Sequence, residues 1–327
     1  MSNKLERALQ RLRANDPTLT ELYLLDNALG EEGAALLAGA LQENTVITEL
    51  NLAVNEIGAA GAAHLAGAIC DNGEITDLGM EDNDLGDEGA VHMAGVLRKN
   101  NVLKNLDLEN NGISAAGAAH LAGALRVNTV LTHLNLGYNR LGDEGAAHLA
   151  GALRVNKVIT GLVLGNNGIG AEGAAHMAGA LLENTVLTVL YLGCDGCCNG
   201  IGAAGVAHLA GALRVNTVLK ELNLQSNSIG AEGAAYMAGA LLENTVLTKL
   251  HLGVNGLGTE GAAHMAGALR ANTVLKELNL QSNGIGAEGA AKLTGAVREN
   301  TCLKKLFLKG NDLGDGRESE RENVCVY

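Results

Sequence analysis

Hydrophobic positions along this chain alternate between two periods. From Leu131 to Val158 the sequence reads LTHLNLGYNRLGDEGAAHLAGALRVNKV. Its first half places apolar residues at Leu131, Leu134, Leu136 and Leu141, with Asn139 between the last two. Its second half places Ala146, Leu149, Ala150 and Leu153 at i, i+3, i+4 and i+7, the stripe of an amphipathic helix. The stretch predicts a short strand, a turn and a helix.

That unit recurs along almost the whole chain. Its leading aliphatic residue returns at Leu19, Ile47, Ile75, Leu103, Leu131, Ile159, Leu187, Leu219, Leu247, Leu275 and Leu303, in steps of 28 residues except for the 32 between Leu187 and Leu219. Eleven strands follow from this count. Fixed self-similarity at such a period marks a stacked repeat array, which grows as one elongated domain without enlarging any core cross-section.

The motif LxxLxLxxNxL, followed by GxxGAxxLAxAL and then Asn, resembles the leucine-rich repeat. Its length and helical half are similar to the ribonuclease-inhibitor-like subtype, also found in the GTPase-activating proteins for Ran and in the sensor ends of NOD-like receptors. The resemblance implies an α/β solenoid: a right-handed βα horseshoe with a concave parallel sheet and convex helices. Spacing supports the curvature. Ten steps at about 4.8 Å between strands give roughly 48 Å inside, against roughly 90 Å for helices about 8 to 10 Å apart. Residues 19–314 are expected to form the array. Residues 1–18, with Leu5, Ala8, Leu9 and Leu12 at helical spacing, read as a capping helix over its first strand, and residues 315–327 as a flexible polar tail.

Composition narrows the function. Phe307 and five tyrosines are the only aromatic residues, so the core is expected to be Leu, Ile, Val, Met and Ala. A net charge of -13 argues against nucleic acid and against an anionic membrane. The first residues, MSNKLERALQRLR, lack the apolar core of a signal peptide, and no stretch reaches the length of a membrane span. The sequence holds no Asn-x-Ser/Thr glycosylation acceptor, and its six cysteines do not gather at the two ends of the array. These features point to the cytoplasm with reduced thiols.

Most recurring polar residues have structural explanations. The Asn27 to Asn311 series falls where the backbone turns away from each strand and needs a side chain able to donate and accept. Histidines at 64, 92, 120, 148, 176, 208 and 264 share one position on the outer helix face, too far apart for a common metal ion. Glycine recurs in mid-helix at Gly39, Gly67, Gly95, Gly123, Gly151 and Gly179, where each costs about 1 kcal/mol relative to Ala. No phosphate loop or other cofactor motif is present, and no cofactor is expected.

The informative positions flank the inward leucines. Over the first repeats they supply Glu21, Tyr23, Asp26, Glu49, Asp77, Glu81, Asp82, Asp107 and Glu109, and further along His133, Tyr138 and Tyr191. The expected face is acidic, then partly aromatic, then basic at Lys305 and Lys309. Repeat seven carries a four-residue insertion with Cys194, Cys197 and Cys198, a thiol cluster lacking a fourth ligand nearby. A noncatalytic, sensor-like scaffold binding a protein partner on its concave face, with a basic partner matched to the acidic half, is the first reading. The alternative, carried by the resemblance, is a GTPase-activating protein similar to those for Ran. No nucleophile, base and orienting group recur together, so no catalytic residue is assigned.

Overall fold

The computed structural model describes residues 3–194, 196, 199–313 and 323–325. Repeats that touch only their neighbours cluster their contacts locally. The chain divides into two compact units, Met1–Val163 and Leu164–Tyr327.

The first unit alternates α1 (Asn3–Arg13), β1 (Glu21–Tyr23), α2 (Gly30–Leu41), β2 (Glu49–Asn51), α3 (Gly58–Asp71), β3 (Asp77–Gly79), α4 (Gly86–Lys99), β4 (Asn105–Asp107), α5 (Ala115–Leu125), β5 (His133–Asn135), α6 (Gly142–Leu153) and β6 (Gly161–Val163). Its strands pair in sequence order, all parallel, in a register that sets Leu22, Leu50, Leu78, Leu106, Leu134 and Leu162 side by side. The second unit runs α7 (Ala171–Leu181), β7 (Val189–Tyr191), α8 (Gly202–Leu213), β8 (Glu221–Asn223), α9 (Gly230–Glu243), β9 (Lys249–His251), α10 (Gly258–Ala271), β10 (Glu277–Asn279), α11 (Gly286–Glu299), β11 (Lys305–Phe307) and β12 (Asn323–Cys325). Strands β7 to β11 are again parallel. The fold is an α/β solenoid, as the sequence predicts. Within the expected polar tail, β12 pairs antiparallel with β11 and occupies backbone groups that an edge strand leaves open.

Each strand is only three residues long because the pattern changes immediately after it. The middle leucine is buried, and the residues on either side stay at least partly exposed in every strand from β1 to β11 except at Gly161 of β6, since alternate side chains leave a strand on opposite faces. On the helices the buried stripe is mostly alanine and leucine, as in Ala62, Leu65, Ala66 and Ile69 of α3. Small residues let neighbouring helices approach. A Cβ on Gly61, near the start of α3, would stand 2.6 Å from Ile57 Cγ2 and 3.1 Å from Ala34 Cβ, so only glycine fits that contact.

Two asparagine ladders hold successive repeats together. Asn55 is fully buried, and its Nδ2 donates to Leu24 O at 2.8 Å, Leu52 O at 2.8 Å and Ala53 O at 2.9 Å. Its Oδ1 accepts from Asn27 N at 3.0 Å in the preceding repeat. The second ladder ends the helices: Asn72 Nδ2 donates to Leu41 O at 3.1 Å, while its Oδ1 accepts from Ile75 N at 3.0 Å. Buried backbone polar groups are costly without partners, and these amides supply them. In place of a helix-end asparagine before the first strand, Asn15 donates to Glu43 O at 3.1 Å and accepts from Thr45 N at 2.9 Å.

The mid-helix glycines divide into two groups. Beside Gly151 the guanidinium of Arg126, from the helix before, lies 3.1 Å from where a Cβ would be, and Arg214 lies 3.2 Å from that point on Gly239. Glycine there makes room for an arginine crossing from the preceding repeat. Around Gly39, Gly67, Gly95, Gly211 and Gly267 nothing lies within 4 Å of an added Cβ, and the structure gives these five no packing reason. The outer histidines are half-exposed where measured: His64 and His148 each hold Nε2 3.9 Å from a glutamate oxygen, Glu31 and Glu144 respectively.

Candidate functional site

The parallel register gathers the first unit's candidate residues into rows. Glu21, Glu49, Asp77, Asn105, His133 and Gly161 occupy the first strand position, and Tyr23, Asn51, Gly79, Asp107, Asn135 and Val163 the third. Asp26, Asp82 and Tyr138 occupy a left-handed position just after their strands, at φ 55, 54 and 55°. Glu81 and Glu109 sit one residue before that turn. Glu21, Tyr23, Glu49, Asp77, Asp107 and His133 thus occupy strand positions flanking the buried leucines, while Asp26, Glu81, Asp82, Glu109 and Tyr138 lie just past the strand ends.

Electrostatics along this face is dominated by carboxylates, with exposed Lys104 at its margin just before β4. Tyr23 Oη donates to Glu49 Oε1 at 2.7 Å and lies 3.1 Å from Glu21 Oε2, and the hydrogen bond to Glu49 pushes its phenol well above the ordinary range. Asn105 donates to Asp77, and Asn135 Nδ2 bridges Asp107 at 3.0 Å and Glu109 at 2.8 Å. Neutral amides and a phenol therefore take up part of the acceptor capacity. Glu81 shows what remains: partial burial, then the charges of Asp107, Glu109 and Asp82, raise its carboxyl above the usual value. Among the described residues none of these carboxylates pairs with a lysine or arginine. His133, exposed at the end of the row, holds Nδ1 3.0 Å from Thr132 Oγ1.

The second unit's face has a different chemistry. Tyr191 belongs to it and donates to Glu221 on the next strand. Partial burial, followed by that hydrogen bond, raises the Tyr191 phenol. Glu221 also accepts from Lys249 Nζ at 2.8 Å. Burial works to raise the Glu221 carboxyl, but the hydrogen bonds from Lys249 and Tyr191 outweigh it and hold the group below its usual value. One strand on, Lys305 Nζ lies 3.2 Å from Glu277 Oε2. His251 sits between Asn223 and Asn279 in the register, with its Nε2 buried, unbonded and 3.9 Å from Glu221 Oε1. Burial lowers its pKa and favours the neutral ring.

Cys194 lies half-buried just past β7, while Cys197 and Cys198 lie outside the described residues. Among the described residues no group of three histidine, cysteine, aspartate or glutamate side chains is arranged to hold a metal ion. No helix among them is long and apolar enough to cross a membrane.

Seven stretches, residues 15–38, 43–66, 99–122, 127–150, 215–238, 243–266 and 271–293, match the family model described as Leucine Rich repeat, and together they cover just over half of the chain. The chain belongs to the leucine-rich repeat family. No curated protein matches the sequence. Among solved structures, the leucine-rich repeat-containing protein LegL7 from Legionella pneumophila superposes with a TM-score of 0.56 at 18% identity, covering 89% of this chain and 91% of that one. A chain of the yeast Rad7 and Elc1 complex gives 0.52 at 14% identity, covering 96% of this chain and 82% of that one. At these identities the likeness is one of fold.

Within the leucine-rich repeat pattern, the residues overlooked in the sequence are Glu221, Lys249, His251 and Glu277. A signal for three of them was present. Glu221, Lys249, Glu277 and Lys305 alternate in sign at one repeat position, so like charges are never adjacent and each lysine has a carboxylate beside it. The depth of His251 had no such signal, because half-exposed positions on one strand face look alike in sequence.

Proposed function

We propose that this leucine-rich repeat chain is a noncatalytic, sensor-like scaffold that binds a protein partner on the concave face of its strands. The Met1–Val163 unit would favour a basic partner. One observation supports the second part: Glu21, Glu49, Asp77 and Asp107 lie on neighbouring strands with Glu81, Asp82 and Glu109 just past them, and among the described residues none of the seven pairs with a lysine or arginine. A positive segment docking there gains charge pairs without displacing existing ones, and long-range attraction raises its encounter rate. Tyr23 and Tyr138 add flat apolar area beside the charges. The yeast neighbour of similar fold comes from a protein complex, which agrees with a binding role for such a scaffold.

The 28-residue separation of hydrogen-bonded equivalents such as Asn27 and Asn55 supports assigning the repeats to the ribonuclease-inhibitor-like subtype. Half-buried Cys70 and Cys302, which form no disulfide, support a reducing, cytoplasmic location. The test is titration of the full chain with a lysine-rich synthetic peptide. Charge reversal at Glu81, Asp82, Asp107 and Glu109 together should abolish binding while the helical circular dichroism persists. Unchanged binding would exclude this face. The GTPase-activator reading rests on the repeat subtype alone, and stimulation of a Ran-type GTPase by about a hundredfold or more would replace the scaffold as sole function.

A further inference from the structure

The second unit presents the opposite charge pattern by burying its acids and exposing its bases. The carboxylates of Glu221 and Glu277 are the covered members of their pairs, at 13% and 17% side-chain exposure. The ammonium groups of Lys249 and Lys305 stand above them at 46% and 57%. Glu221 has Tyr191 and Lys249 as partners already, so it offers an incoming cation little. Lys220, Lys276 and Lys304 immediately precede β8, β10 and β11 and are exposed, as is Lys309 just past β11. Lys249 and Lys305 thus stand on one sheet face over strand carboxylates that are already paired beneath them, and four more exposed lysines flank that face.

We propose that this face of the Leu164–Tyr327 unit docks an acidic, extended protein segment, a partner chemically opposite to the one assigned to the Met1–Val163 unit. Lys249 and Lys305 are two strands apart, about 10 Å at the usual strand separation. A segment in the extended polyproline II conformation, with three residues per turn and a rise of about 3.1 Å per residue, carries acids at i and i+3 on one side about 9 Å apart, so they meet the two ammonium groups. Each lysine has further N–H donors beyond the one committed to its glutamate. Partner carboxylates therefore add to the existing pairs and complete alternating rows of charge. Phe307, half-buried beside Lys305 on β11, gives the segment an apolar contact at one end.

The experiment uses the full chain and a fluorescein-labelled extended peptide with glutamate at every third position, read by fluorescence anisotropy at low and physiological salt. Binding should appear at low salt and weaken as salt rises. The double variant Lys249→Gln, Lys305→Gln, which adds no like charge next to Glu221 or Glu277, should weaken it by about tenfold, as expected for two lost charge contacts. Lys157→Gln, away from this face, should leave it unchanged, and so should reversal of Glu81 and Asp107 in the first unit. That last arm separates failure of this proposal from failure of the basic-partner reading. Absence of binding at low salt, or equal loss in Lys157→Gln, overturns the acidic-segment site. Tighter binding of a single-stranded oligonucleotide with the same sensitivity to Lys249 and Lys305 also overturns it, by reassigning the face to nucleic acid. A double variant that loses its helical signal is replaced by the single Lys305→Gln, whose ammonium is the more exposed, and a smaller loss in the same direction is then required.

Discussion

At the scale of single residues, the array uses one side chain for several duties only where the backbone leaves no alternative. Asn55 and its equivalents answer for buried carbonyl and amide groups of two repeats at once, which is why an amide and not a leucine stands at that otherwise apolar depth. The mid-helix glycines are under weaker control. At Gly151 an added methyl would press on the Arg126 guanidinium at 3.1 Å, whereas at Gly39 and Gly67 it would meet nothing. Gly39→Ala and Gly67→Ala should each stabilise the protein by up to about 1 kcal/mol, since alanine restricts the unfolded chain and favours the helix. Gly151→Ala should gain less, because the arginine must move. Thermal unfolding of the three variants checks this order, and a fall in Tm for Gly39→Ala or Gly67→Ala would show that these helices need glycine for a reason outside local packing.

At the scale of elements, the strands and helices were legible because their two periods are repeated so often that no single substitution hides them. Harder to read was anything set by a position's depth. Spacing singles out Glu81, Asp107 and Glu109, but not the partial burial and the crowding of charge that raise the Glu81 carboxyl. The joint between α1 and β1 was equally opaque: Asp16 stands before the one proline, Pro17, with nothing in its spacing to mark it, but it is the local fastening. It accepts from Thr18 N at 2.9 Å, Thr18 Oγ1 at 2.7 Å and Arg11 Nε at 2.6 Å, and these bonds, the backbone one foremost, lower its carboxyl to about 2. A depressed carboxylate contributes stability that is fully present above the unfolded value near 3.9 and is lost as the pH falls through about 2. Amide exchange in α1 should therefore quicken as the pH falls from about 4 to about 2, once corrected for intrinsic rates. Asp16→Asn should show faster exchange already at neutral pH and lose the acid-dependent component. A wild-type acid response retained in that variant would move the effect to another group.

At the scale of the whole molecule, local pairing makes repeats interchangeable for folding but unequal for binding. In the first unit the strand register places each residue beside its equivalent 28 positions away, and Asn55, Asn83 and Asn111 bond within their own repeat and into adjacent ones. Removing one complete repeat inside the first unit should bring matching positions together again. Without residues 103–130, β3 would adjoin β5 and Asn83 would meet Asn139 in place of Asn111. Without residues 131–158, β4 would adjoin β6 in the same way. Stability in such arrays is approximately a sum of repeat and nearest-neighbour terms, so both deletions should fold with a full helical signal and a modestly lower Tm. Their surfaces differ sharply. The first deletion removes Asp107 and Glu109, while the second removes His133 and Tyr138 and leaves all seven carboxylates of the face. Affinity for a lysine-rich peptide should fall about tenfold in the first and less than about twofold in the second, the difference expected when several charge contacts are lost together. Equal affinities in two well-folded deletions would mean that position along the face does not matter, and that net charge, not an arranged acidic surface, attracts the peptide.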